Sequence, residues 1–163
     1  MKLSILIPTV PERERTYKSL LNSLLEQRKH YLEDIEICID PTPRGEMSIG
    51  RKRDNLLKTA KGDYIVFVDD DDSVMSNYIS LILKAIESKP DCVDLNILML
   101  TEQQNPQMCL HHLKNKKWSQ QGNTYLRGAT QFNPVKREIA LQAGFPDLRF
   151  GEDQPYSDKI TAL

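Results

Sequence analysis

Tyr64–Asp72 reads YIVFVDDDD, a short apolar run that ends directly in four carboxylates. Adjacent carboxylates repel one another by about 1 kcal/mol per close pair even in water, and more where they are partly buried, so a cation is expected beside them. In an extended segment alternate side chains share a face, which predicts that Asp69 and Asp71 meet one ion while Asp70 and Asp72 point elsewhere. Hard carboxylate oxygens suit Mg²⁺ or Mn²⁺, and Mg²⁺ needs only one or two of them when phosphate oxygens complete its shell.

An acidic run is more often solvated surface than a metal site, and composition alone leaves that alternative open. Position favours the metal site, because a buried strand that ends in carboxylates brings them to the carboxyl edge of a sheet, where open α/β folds bind ligands. A calcium loop of the EF-hand kind is disfavoured. Such a loop needs glycine at its sixth position and an acidic ligand at its twelfth, where counting from Asp69 gives Val74 and Ser80.

Composition predicts one soluble domain. The 163 residues are enough for a real core, and 39% hydrophobic with 28% charged residues is typical of a globular protein. The 22 basic residues balance 23 acidic ones, which argues against general binding to nucleic acid or to a membrane surface. No apolar run is long enough for a signal peptide or a membrane span, and three cysteines without CxxC spacing favour free thiols and a cytoplasmic location.

The first hundred residues alternate between strand and helix patterns. Apolar runs predict strands at Leu3–Ile7, Ile35–Ile39, Tyr64–Val68 and about Cys92–Leu100. Apolar residues recur at helical spacing between these runs, and Ser76 is the expected N-cap of the third helix. This alternation predicts an α/β fold with a parallel sheet flanked by helices.

Polar residues follow the first three strands. Thr9 comes after the first, Asp40 after the second and the acidic run after the third, so all three are expected at one edge of a parallel sheet. Thr9 could instead cap a turn, and Asp40 could start one before Pro41, so both assignments stay open. The sequence has neither GxxxxGK[ST] nor GxGxxG, which argues against a P-loop NTPase and a Rossmann dehydrogenase.

Two pairs of residues after position 100 are also notable. His111 and His112 are adjacent on a predicted strand, so their rings are expected on opposite faces and cannot share one metal ion. Trp118 and Tyr125 could either complete the core or offer a surface on which a sugar stacks. Core packing is the expectation for one of the two.

Four segments occur in an order that is more specific than any of them alone. They are LSILIPT at 3–9, KRDNLLKTAKGDYIVFVDDDD at 52–72, NPVKRE at 133–138 and GED at 151–153. This order resembles family 2 glycosyltransferases of the GT-A fold, a Rossmann-like α/β fold. The resemblance implies one domain over residues 1–163, with a nucleotide-sugar-binding part at 1–100 and an acceptor-side part at 101–163.

The resemblance also implies a donor site. Thr9 and Asp40 would hold the nucleotide base, with Glu12 of the same first loop nearby, and Arg53 would line the donor pocket. Beside Arg53, Lys52 is expected on a solvated helix face, because basic residues on an amphipathic helix usually point to water.

By the same resemblance, Asp69 and Asp71 would form a DxD motif. The first carboxylate would meet the ribose or the sugar, and the second would bind the Mn²⁺ or Mg²⁺ ion that bridges the diphosphate. Asp70 is counted among the donor-binding residues. The metal would neutralise the charge that develops on the departing diphosphate.

The second acidic motif, Glu152-Asp153, precedes a predicted helix at Gln154–Leu163. Acidic residues at a helix start are often only caps or dipole partners. The resemblance implies instead that Asp153 is the catalytic base and that Glu152 is structural or faces the acceptor. Such a base would deprotonate an acceptor hydroxyl as it attacks the anomeric carbon, which inverts the configuration.

The sequence therefore predicts a metal-dependent inverting glycosyltransferase. Its donor would be a nucleotide-diphospho-sugar, a UDP-sugar in the first instance, and its acceptor a hydroxyl of a glycan, a protein or a small molecule. One alternative is a catalytically silent nucleotide-sugar-binding module, since only ten residues follow Asp153. The other is a nucleotidyltransferase, which would use a nucleoside triphosphate and release pyrophosphate.

Overall fold

The computed structural model describes residues 1–100, 105–115 and 117–163. The elements in chain order are β1 (Leu3–Pro8), a 3-10 helix (Pro11–Arg13), α1 (Glu14–Arg28), β2 (Ile35–Asp40), α2 (Ile49–Thr59), β3 (Tyr64–Phe67), α3 (Tyr78–Ile86), β4 (Leu95–Met99), β5 (Gln107–His111), β6 (Ser119–Gln121), β7 (Thr124–Arg127), β8 (Val135–Lys136), α4 (Arg137–Ala143) and α5 (Asp153–Ala162).

The main sheet contains four strands in the order β2-β1-β3-β8. β1 pairs in parallel with β2 and β3, whereas β8 is antiparallel to β3. All six residues of β1 are buried, as expected for a central strand covered on both faces. The expected α/β fold with a mainly parallel sheet flanked by helices is confirmed.

Two hydrophobic cores lie on opposite faces of this sheet. Because side chains alternate along a strand, Ile5 of β1 enters one core and Leu6 the other. The first core packs the sheet against α1 and α3, and the second packs it against α2, α4 and α5. Helices on both faces fix the strands, and with them the loops at their ends.

A second sheet, in the order β4-β5-β7-β6, lies outside the main one. The predicted fourth strand, about Cys92–Leu100, is therefore wrongly placed in the parallel sheet: it is β4, which is antiparallel to β5. Only residues 100–106 separate the two strands, too few for the crossover that a parallel connection needs. The burial of β4 also alternates, and Leu98 is 54% exposed, unlike a central strand.

The helices lie close to their predicted positions. α5 covers Asp153–Ala162, which agrees with the predicted Gln154–Leu163. The expected N-cap at Ser76 is wrong, because α3 begins at Tyr78 and the capping position is held by Asn77, whose side chain makes no capping hydrogen bond. In the part of the chain that the structure describes, no helix is both long and apolar enough to cross a membrane.

The carboxyl ends of β1, β2 and β3 meet at one edge of the main sheet. Pro8 is the register partner of Asp40, and Leu6 is that of Phe67. The amide of Thr9 donates to the carbonyl oxygen of Asp40 at 2.9 Å. The expected convergence of the three strand ends is confirmed.

The first turn of α2 packs tightly against the loop that leads into α5. The amide of Gly50 donates to the carbonyl oxygen of Leu148 at 3.0 Å. A Cβ atom at Gly50 would lie 1.9 Å from the carbonyl oxygen of Pro146 and 3.1 Å from Cβ of Glu152. Glycine at this position therefore lets the second acidic motif approach α2.

We expect Gly50→Ala to lower the free energy of unfolding by about 3 kcal/mol, because the added methyl group must displace a backbone carbonyl. In an unobstructed helix the same change would raise stability, since alanine is the better helix former. Denaturant unfolding followed by circular dichroism measures the difference. Gly122→Asn is the control. Gly122 has φ +59°, which asparagine tolerates, and a Cβ atom added there would have no neighbour within 4 Å. A Gly50→Ala variant as stable as wild type would contradict the tight approach.

Candidate active site

A cavity of about 890 Å³ opens at the carboxyl edge of the main sheet. Its walls come from the residues after β1 and β3, the first turns of α2, the end of β7 and the start of α5. We call it the main cavity. Loops held by a rigid sheet edge are where α/β folds bind their ligands.

The acidic run forms a turn within the wall of this cavity. The amide of Asp72 donates to the carbonyl oxygen of Asp69 at 3.0 Å, so the expected extended geometry is wrong. The turn satisfies an amide that a strand end without a neighbour would leave unpaired. Asp69, Asp70 and Asp71 all line the main cavity despite the change of geometry.

Crowding of the carboxylates disfavours their charged forms. Burial raises the pKa of Asp69, the Arg53 guanidinium opposes this rise, and the carboxylates of Asp71 and Asp70 add to it. Burial and the neighbouring carboxylates raise the pKa of Asp72 to about 6. A cation at the turn would relieve this repulsion, and hard oxygens of this kind suit Mg²⁺ or Mn²⁺. The residues present therefore fit such a metal.

Asp70 anchors the turn to the first loop. Its side chain is buried, and it accepts a hydrogen bond of 2.8 Å from Oγ1 of Thr9 and one of 2.7 Å from Nη1 of Arg13. The same Arg13 atom lies 3.0 Å from Oδ2 of Asp71. Sequence reasoning missed Arg13, because it belongs to no recurring pattern and its partners lie far along the chain.

Arg53 joins the two acidic motifs. Its guanidinium is buried and lies 2.9 Å from Asp69, through Nη2, and 3.3 Å from Glu152, through Nε. The rings of Phe67 and Phe145 lie 5.7 and 6.0 Å from its central carbon. The two carboxylates compensate the charge of the buried guanidinium, and removal of Arg53 would leave the buried Glu152 without its cation.

Lys52 does not lie on a solvated face, so that expectation is wrong. Its side chain is buried, and Nζ donates to the carbonyl oxygens of Thr9 and Thr42, each at 2.6 Å. Burial lowers the pKa of Lys52, and the carboxylates of Asp40 and Asp70 oppose this effect. The helix face that looked amphipathic in sequence covers two loops whose carbonyl groups need a donor.

Asp40 and Glu12 lie near the main cavity but are not among the described residues that line it. Oδ1 of Asp40 accepts from the amide and from the hydroxyl of Thr42, at 2.9 and 2.6 Å, which is the local turn that its sequence also allowed. Glu12 is exposed on the 3-10 helix. Their proposed contacts with the base stay predictions.

Asp153 is the first residue of α5 and lines the main cavity. Its Oδ2 accepts a hydrogen bond of 2.9 Å from Nη2 of Arg127, the last residue of β7. Glu152 occupies the N-cap position and is buried against Arg53. Arg127 was not predicted, since nothing in the sequence near it points to Asp153.

Three polar atoms of cavity-lining side chains lack a hydrogen bond. Within the described residues these are Nε and Nη1 of Arg53, of which Nε keeps its ion pair with Glu152, and Oε1 of Gln131. All three atoms are buried, although both side chains line the main cavity. An unsatisfied buried polar group costs about 1–3 kcal/mol, so a ligand toward which such an atom turned would recover that cost.

The two adjacent histidines have separate partners. Nδ1 of His111 lies 3.1 Å from the hydroxyl of Thr130, and Nε2 of His112 lies 3.2 Å from Oδ1 of Asn96. Burial lowers the pKa of His111 to about 4. The described residues contain no group of three or more His, Cys, Asp or Glu arranged to hold a metal ion by themselves.

Comparison with known families identifies the class of the chain. Residues 38–143 match the model of the family described as Glycosyl transferase family 2. The match spans more than half of the chain, so the chain belongs to this family. A search of curated protein sequences finds no match.

Solved structures are similar to the chain in fold. The crystal structure of S. aureus TarS 1-349 has a TM-score of 0.64 at 20% identity, over 99% of this chain and 55% of that one. TarS 1-349 in complex with UDP-GlcNAc gives 0.63 at 18% identity, over 99% and 53%. The bifunctional IspDF from Campylobacter jejuni gives 0.55 at 11%, over 99% and 47%. The chain thus spans about half the length of the TarS 1-349 structures, and the expected GT-A fold is confirmed.

We expect Lys52→Met to lower the free energy of unfolding by about 2 kcal/mol, because it leaves two carbonyl oxygens without their donor. The same change should lower the affinity of any ligand that binds in the main cavity, because Lys52 holds two of its loops together. Urea unfolding gives the stability. Lys58→Met, at an exposed position of the same helix, is the matched control and should change stability by less than about 0.5 kcal/mol. Equal effects of the two changes would contradict the buried role of Lys52.

Proposed function

We propose that this chain is a glycosyltransferase that moves a sugar from a nucleotide-diphospho-sugar, a UDP-sugar, to an acceptor hydroxyl. The observation that carries the proposal is the acidic turn in the wall of the main cavity, with Arg13 and Arg53 bound to its carboxylates. Cations and hydrogen-bond donors around such a turn suit a diphosphate. Family membership and the structures of TarS 1-349 with UDP-GlcNAc and with UDP support this choice of donor.

We propose Mn²⁺ or Mg²⁺ as the cofactor, held by Asp71 and Asp69. When bound, the metal supplies charge neutralisation for the leaving diphosphate. Two protein carboxylates suffice for such an ion because phosphate oxygens complete its shell. Asp71 is the better first ligand, since its side chain is 53% exposed while Asp70 is buried under Thr9 and Arg13.

The remaining donor contacts follow from the cavity wall. Thr9 orients Asp70, and Arg53 orients Asp69, so these four residues hold the acidic turn in shape. Nη1 of Arg53 and Oε1 of Gln131 have no hydrogen bond within the described residues, and a rotation of either cavity-lining side chain would offer the donor a polar partner. We keep Asp40 and Glu12 as nucleotide contacts, which would require a change from the local geometry of their loops on binding.

We propose Asp153 as the catalytic base of an inverting transfer. Arg127 holds Oδ2, which leaves Oδ1 to accept the proton of an acceptor hydroxyl. That hydroxyl oxygen forms the new bond to the anomeric carbon, while the bond from this carbon to the diphosphate breaks and the nucleoside diphosphate departs. Glu152 stabilises Arg53 and does not need to touch the acceptor.

We place the protein in the cytoplasm, which the three free cysteines support. Such a compartment keeps thiols reduced, and nucleotide-sugars are available there as donors.

Release of UDP tests the proposal, measured with Mn²⁺ across a panel of UDP-sugars and hydroxyl acceptors. We expect Asp153→Asn to lower kcat by about 100-fold or more while donor binding stays unchanged, because only proton removal is lost. Asp71→Asn should instead abolish the metal dependence of donor binding, seen by calorimetry. Asp158→Asn, at an exposed position of α5, is the control and should act like wild type.

Tight metal-dependent UDP-sugar binding without turnover in any mixture would favour the silent binding module. Absence of both binding and turnover would contradict the donor site itself. Release of pyrophosphate from a nucleoside triphosphate would identify a nucleotidyltransferase.

A further inference from the structure

A second cavity, of about 510 Å³, adjoins the main cavity, and we call it the side cavity. The two share three lining residues, Asp71, Arg127 and Phe132, so they meet at the acidic turn and beside the partner of Asp153. β4 lines the side cavity, and exposed apolar side chains such as Met75 stand in its wall. A second substrate in this position would reach the reacting centre from beside the donor.

Trp118 lines the side cavity and packs against two side chains of β7. β6 and β7 are antiparallel, and the pairing of Ser119 with Leu126 places Trp118 opposite Arg127. Tyr125 and Arg127 are two residues apart on β7, so they share a face of the sheet. Trp118 packs on both, with its ring centroid 5.2 Å from that of Tyr125 and 5.7 Å from the Arg127 guanidinium carbon.

About half of the Trp118 side chain is open to a ligand. Trp118 is 53% exposed although two side chains pack against it. The contact with Arg127 restrains the orientation of the Trp118 ring. Burial of this ring by a ligand would remove apolar area from water without a conformational change.

Arg127 connects this ring to the candidate base. Its Nη2 atom bonds Oδ2 of Asp153 at 2.9 Å, and its guanidinium supports Trp118. Trp118 and the carboxylate that would accept a proton therefore contact the same side chain. Trp118, Arg127 and Asp153 thus form a continuous row of contacts from an apolar ring through a cation to the candidate base.

We propose that Trp118 forms the acceptor subsite, that the acceptor is a carbohydrate whose ring stacks on the indole, and that Arg127 is a positioning residue for Asp153. This inference rests on the proposed function and names its acceptor class. A pyranose ring has an apolar face of C–H groups and a rim of hydroxyls, which matches an aromatic platform beside a carboxylate. An open-chain polyol carries the same hydroxyls but presents no continuous face to the ring.

The chain contains one tryptophan, so its fluorescence reports on Trp118 alone. The protein is saturated with UDP and Mg²⁺ and titrated with methyl glucoside, methyl galactoside and methyl N-acetylglucosaminide, with sorbitol as the open-chain comparison. We expect a saturable change of emission with at least one glycoside and none with sorbitol. No saturable change with any glycoside, or an equal change with sorbitol, would overturn the inference.

Substitutions separate stacking from folding. With the responding glycoside as acceptor, Trp118→Ala should raise its KM about tenfold and leave the calorimetric affinity for UDP unchanged, and Trp118→Phe should recover most of the loss. Leu81→Ala removes an equally exposed apolar side chain outside both cavities and is the control. An unchanged acceptor KM in Trp118→Ala would contradict the subsite.

Arg127→Gln tests the positioning role. Arg127 holds Oδ2 of Asp153 at 2.9 Å, so its loss should lower kcat while the calorimetric affinity for UDP stays unchanged, a split that a merely structural residue would not cause. Arg127→Lys should restore part of kcat. A protein that fails to bind UDP would refute the proposed function instead, whereas UDP binding without a glycoside response refutes this inference alone.

Discussion

The buried guanidinium of Arg53 is the constraint on which the site depends. A charge in this position is tolerated only when it is paired, and its partners Asp69 and Glu152 come from two loops that are far apart in sequence. Loss of either partner would destabilise the site, because the guanidinium would keep one carboxylate in place of two. The ion pairs therefore fix the distance between the acidic turn and the start of α5, and with it the width of the main cavity.

Two further features of α2 serve the same end. Gly50 allows the loop before α5 to approach the helix, and Lys52 ties the loops after β1 and β2 to it. Residues within about one turn of α2 thus contact the acidic turn, the loops after β1 and β2, and the loop before α5. A pre-shaped polar site of this kind suits a reaction in which charge moves onto a diphosphate, because its groups do not need to reorganise as that charge develops.

The sequence predicted the main sheet well, because buried parallel strands and amphipathic helices leave local periodic signals. It also brought Thr9 and the acidic run to one edge, since strand order alone implies that position. It failed for the second sheet, whose strand β4 resembles a buried strand in composition, and for the turn of the acidic run. The contacts of Lys52 and Arg127 were not predicted for another reason. Their partners are distant in sequence, and only the folded chain brings them together.

In the proposed function, the acidic turn and Arg53 together hold a metal and the diphosphate of a nucleotide-sugar. A crystal structure of the chain grown with UDP and Mn²⁺, with anomalous data collected for manganese, tests it most directly. We expect an anomalous peak in the main cavity between the carboxylate of Asp71 and the diphosphate oxygens. Manganese bound away from the acidic turn, or UDP bound outside the main cavity, would contradict it.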